Sequence, residues 1–175
     1  MRALVLLLLA GVAHGEPTRR ALDLVLGGFE QVVNNDAVRS LGPGTDVALI
    51  GYIEDRKSNS LRRQRALSAL GQVPSATARD YLVGRIRAQK SADRGAEVLE
   101  LAAAIGALAP YGAEVLSTVV PLLSHPAPDV RQAAAAALGA MRVPTTSTAL
   151  ATRLTVETDP GVQAALRHAL DASRR

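Results

Sequence analysis

Small and apolar residues recur along this chain at helical spacing, in a phrase that returns four times. In DVRQAAAAALGAM, the residues Val130, Ala134, Ala137, Leu138 and Met141 stand at i, i+4, i+7, i+8 and i+11, which is one face of an α-helix. RRQRALSALG (62–71), EVLELAAAIG (97–106) and VQAALRHALD (162–171) fall in the same frame. The copies end at Gly71, Gly106, Gly139 and Asp171, spaced by 35, 33 and 32 residues. A period of this size predicts stacked supersecondary units rather than one globular knot.

A second apolar helix is predicted upstream of each copy, over 47–55, 77–89, 113–124 and 147–157. Pro128 and Pro160 align at the first position of the helix that follows, where a missing amide proton costs nothing, and Asp159 is placed to cap that helix. Gly71, Gly106 and Gly139 are expected to close their helices in the left-handed conformation. Gly27-Gly28 is expected to break the first helix, and Gly42-Pro43-Gly44-Thr45 reads as the loop entering the first pair. No segment alternates apolar and polar residues convincingly, so the reading is all-α.

The stretch PLLSHPAPDVRQAAAAALGAM (121–141) resembles the HEAT-like repeat, in the short version also found in phycobilisome lyases. The resemblance covers four helix pairs from Asp46 to Asp171. It implies a right-handed α-solenoid of about four pairs over 46–175, behind an N-terminal helical cap and loop over 16–45. The family begins its second helix with an acidic residue and then Val-Arg, as Asp129, Val130 and Arg131 do here. The other copies carry Arg62-Arg63, Glu97-Val98 and Val162-Gln163 in the Val-Arg positions, so the family's polar ladder is expected to be broken.

Composition narrows the chemistry. One Phe, three Tyr and no Trp leave packing to Ala, Leu and Val, and without Cys there is neither disulfide nor thiolate metal site. Met1-Arg2, the apolar run Ala3 to Ala13, and small residues at Ala13 and Gly15 before Glu16-Pro17 read as a secretory signal peptide over 1–15. Export to the periplasm or the medium is therefore expected, with no transmembrane span in the mature chain. His14, His125 and His168 are scattered, and His125 is expected to face solvent beside Pro126. No cofactor, metal site or catalytic residue is expected. Glu54-Asp55 and Glu157-Asp159 read as solvated or capping carboxylates.

Charge is uneven. Residues 56–94 hold ten basic and two acidic side chains, against three basic and seven acidic over 16–55. Arg56, Lys57, Arg63, Arg65, Arg85 and Arg87 are the candidates for contact with an anionic partner. Helical spacing puts Arg62 and Arg65 on one face and turns Arg63 about 100° from Arg62, and Arg62 holds a frame position that is core elsewhere. The expected function is a non-catalytic scaffold for another macromolecule, a protein, with an anionic surface or polyanion as the alternative partner; export argues against nucleic acid. The other readings are a lyase-like substrate cradle or enzyme helper, which lacks aromatic or Cys residues to grip a chromophore, and an envelope or membrane-surface structural protein.

Overall fold

The computed structural model describes residues 17–27 and 34–173; the expected leader lies outside them. Among the described residues there are ten α-helices and no strand. The N-terminal segment forms α1 (Arg19–Leu26) and α2 (Asn35–Arg39). The pairs that follow are α3 (Thr45–Glu54) with α4 (Ser60–Leu70), α5 (Ala76–Gln89) with α6 (Gly95–Ala107), α7 (Leu116–Val119) with α8 (Pro128–Met141), and α9 (Thr146–Val156) with α10 (Pro160–Ser173). α1 stops at Leu26 with Gly27 as its C-cap, so the foreseen break falls at a helix end; Gly28 lies outside the described residues. The fourth phrase carries Asp171 where the others have glycine, and α10 runs on past it to Ser173.

Helix starts follow the side chains available. Asn59 and Ser75 accept from the amides of Arg62 (2.9 Å) and Ala78 (3.0 Å), and Asp159 accepts from Val162 N–H at 3.0 Å. Pro128 and Pro160 open α8 and α10 as the sequence predicts. The third pair departs from expectation. Its first helix is one α-helical turn between 3-10 segments, Ala109–Val115 and Val120–Ser124. Pro121 has no amide proton to continue the ladder, and Gly112 sits at φ 55°, ψ −127°, outside any helix.

The second helices stack directly on one another, α4 on α6, α6 on α8 and α8 on α10, while the first helices touch more sparsely. Val130, Ala134, Ala137, Leu138 and Met141 are all buried, as their spacing requires. The glycines of the repeated phrase do not close their helices in the left-handed conformation. Gly71 caps α4 at φ −66°, Gly106 lies inside α6, whose C-cap is Leu108 at φ −79°, and Gly139 lies inside α8, whose left-handed cap is Arg142. Two of them are demanded by packing instead. A Cβ on Gly71 would stand 2.9 Å from Cα of Ala107, and one on Gly139 2.7 Å from Cα of Ala169. Such contacts bring the second helices backbone to backbone, and a stack tighter on one layer curves toward that layer.

Candidate functional site

The turns joining the two helices of each pair (55–59, 90–94, 125–127 and 157–159) are tied together by a chain of polar contacts along one edge of the stack. Arg63, in the first turn of α4, donates back to the carbonyl of Ser58 and forward through Nε to Glu100 Oε1 at 3.0 Å. Glu100 is 3% exposed, inside α6. It also accepts from Ser60 Oγ (3.1 Å) and, on Oε2, from an Arg85 terminal nitrogen at 2.9 Å. The other Arg85 terminal nitrogen reaches Glu54 at 3.1 Å, which also takes the Tyr81 hydroxyl. One buried carboxylate thus joins α4, α5 and α6.

The same device recurs in the last two pairs. Arg131 donates to the carbonyls of His125 (2.9 Å) and Pro126 (2.8 Å) and clasps both oxygens of Glu157 at 2.8 and 2.9 Å. Glu157, 5% exposed, further accepts from Arg153 at 2.7 Å and from the amides of Thr158 and Asp159, each at 3.0 Å. Gln163 Nε2 donates to the Glu157 carbonyl at 2.7 Å. Arg63, Arg131 and Gln163, equivalent in the repeat frame, all bind a turn carbonyl five or six residues back. The expected break in the ladder therefore falls at Val98 alone.

His125 repairs that break. It is buried, not solvent-facing as expected: its Nδ1 accepts from Ala127 N–H at 3.1 Å, which leaves the proton on Nε2 to donate to the Lys90 carbonyl at 3.0 Å. The turn whose frame position carries Val98 in place of an arginine is held from the neighbouring pair.

Both buried carboxylates are kept ionised. Hydrogen bonds from Arg131 lead the causes that bring Glu157 down to about 2 against the desolvation of its site. At Glu100, burial alone pushes the carboxyl up, but hydrogen bonds from Arg63 and Ser60 and the Arg63 charge hold it below the ordinary value. These groups serve the fold as anions. Among the described residues no three His, Asp or Glu side chains converge to hold a metal ion.

The structure divides the six sequence candidates. Arg63 and Arg85 converge on Glu100, and Arg65 donates to the Leu26 carbonyl at the end of α1 at 2.8 Å. Arg62 likewise turns to α1, 3.4 Å from Asp23, so the shared face read from spacing is the face covered by the N-terminal helix. Arg56, Lys57 and Arg87 stay exposed at the ends of adjacent turns. Sequence reading missed Glu100, Glu157 and His125 as buried polar groups. The available signal was an arginine at 63 in the frame of Arg131, with an acid one helix further on.

The family model described as HEAT repeats matches residues 99–171. No curated protein and no solved structure matches the chain. Among the described residues no single helix is long and apolar enough to cross a membrane.

Proposed function

We infer that the chain, which is a HEAT-like repeat protein, acts as a non-catalytic scaffold that binds another protein outside the cytoplasm. HEAT repeats are generally protein-interaction scaffolds. The observation that carries the reading is the use of the charged chemistry. The carboxylates placed inside the stack are bound by arginines, so what the protein offers is surface. The exposed face of the second helices bears short side chains at Ser68, Gly106, Ala136 and Ala140, which let a partner backbone approach closely. Export is supported by the apolar run Ala3 to Ala13 and the small residues at Ala13 and Gly15.

Photo-cross-linking tests this. A benzophenone side chain at Ala136, on the second-helix layer, should give a discrete protein adduct in the extracytoplasmic fraction. The same probe at Thr152, exposed on α9, should not. Absence of any adduct at Ala136, or the same adducts from both sites, would refute the scaffold reading.

A further inference from the structure

We propose that the first two inter-helix turns, with the exposed ends of α4 and α6 beside them, form the docking surface for an acidic, amphipathic segment of the partner protein; this rests on the scaffold reading above. Arg62, Arg63, Arg79, Arg85, Arg131 and Arg153 are all in ion pairs. Arg56, Lys57, Arg87 and Lys90 are exposed and make no ion pair among the described residues. Three of them share one edge of the stack. α3 packs against α5, and Glu54 at the end of α3 holds Arg85 and Tyr81 of α5, so the turn carrying Arg56 and Lys57 lies beside the turn opened by Lys90, whereas Arg87 stands about 200° round α5 from Arg85. The ladder therefore consumes the inner part of the basic segment and leaves Arg56, Lys57 and Lys90 as a cationic field at the rim.

Leu61 and Leu99 supply apolar anchors next to that field. They are 54% and 45% exposed, on adjacent stacked helices, one turn in from Lys57 and Arg94 respectively. Acidic groups set the direction. Asp55 is bound by Arg19 and Asp93 by Arg94, whereas Glu97 is exposed in the first turn of α6. The partner's carboxylates therefore lie toward Arg56 and Lys57 and its apolar side toward the leucines. A lipid surface fits less well, because it needs a continuous apolar face or an aromatic wedge. The three tyrosine hydroxyls are turned to Asp23, Glu54 and the Ser75 carbonyl, and the two leucines stand on separate helices. A polyanionic glycan would leave the leucines unused.

The probe is a fluorescent synthetic helical peptide with Glu on one face and Leu on the other, followed by anisotropy at low and physiological salt. R56E/K57E/K90E should weaken binding at least about tenfold at low salt and flatten its salt dependence, because rim charges act within a screening length of about 8–10 Å. L61S/L99S should weaken it at both salts, and R167E on exposed α10 should leave it unchanged; circular dichroism establishes that each variant is folded. Equal loss in R167E, no binding by the parent protein, or binding to anionic phosphatidylglycerol vesicles in place of the peptide would overturn the proposal. Repeating the Ala136 cross-linking with R56E/K57E/K90E separates the two readings. An undiminished adduct refutes this surface and leaves the scaffold standing, whereas no adduct in the parent protein removes the scaffold itself.

Discussion

Adding one methyl group at Gly139 should destabilise the protein, although alanine is the better helix former. In Gly139→Ala the new Cβ would lie 2.7 Å from Cα of Ala169, 2.8 Å from its Cβ and 3.1 Å from its carbonyl oxygen. Carbon atoms in contact sit about 3.5–4.0 Å apart, so α8 and α10 have to separate by roughly 1 Å. Neither neighbour is the tip of a flexible side chain that could swing aside. Overpacking of this kind costs about 1–3 kcal/mol, and with neither backbone free to move the upper half of that range applies; against a helix-propensity gain of about 1 kcal/mol the net loss is roughly 1–2 kcal/mol. Gly84→Ala is the control. Gly84 is exposed, lies in the middle of α5, and a Cβ there meets nothing within 4 Å, so only the propensity gain of about 1 kcal/mol remains. For a chain of this size 1 kcal/mol moves the melting temperature by about 2–4 °C, so the two variants should melt on opposite sides of the parent in circular dichroism at 222 nm. If Gly139→Ala melts at or above Gly84→Ala, the backbone contact between α8 and α10 does not exist as described.

Three further outcomes follow from the ladder and the leader. Glu100→Gln leaves the Arg63 and Arg85 guanidinium groups short of their shared anion, and urea unfolding should show a loss of about 3 kcal/mol, the lower end for breaking a buried pair; a loss below about 0.5 kcal/mol would mean that the cluster is solvated. Glu157 has a folded pKa depressed to about 2 from an ordinary 4.5, so its contribution is fully present above pH 4.5 and is lost as the pH falls toward 2. Stability of the parent should drop through that window more steeply than that of Glu157→Gln, and parallel curves would contradict the assignment. Mass spectrometry of protein made with its own leader should find a mature chain starting at Glu16, and an intact Met1 in the exported fraction would count against cleavage after Gly15.

The sequence by itself determined the repeat, the helix pairing, the proline starts of α8 and α10 with the Asp159 cap, and the buried face, because these depend on local preferences and on a periodicity that any single copy displays. Ala134 and Leu138 are core wherever their helix packs, and Pro160 starts a helix whatever stands next to it. Tertiary structure decided everything that depends on which copy lies beside which. The spacing 71, 106, 139 marks three equivalent glycines, but only the neighbour's identity shows that Ala107 and Ala169 press on two of them while nothing approaches Gly106. The basic segment 56–94 was legible as charge, yet its division into ladder and rim rests on Asp23, Glu54 and Glu100, each brought to its arginine from another helix. Glu100 lies in an apolar phrase and His125 beside a proline, and nothing local distinguishes either from a solvated side chain. Their burial is set by partners 37 and 35 residues away, across the interfaces between pairs, where desolvation penalises a polar group left without a match.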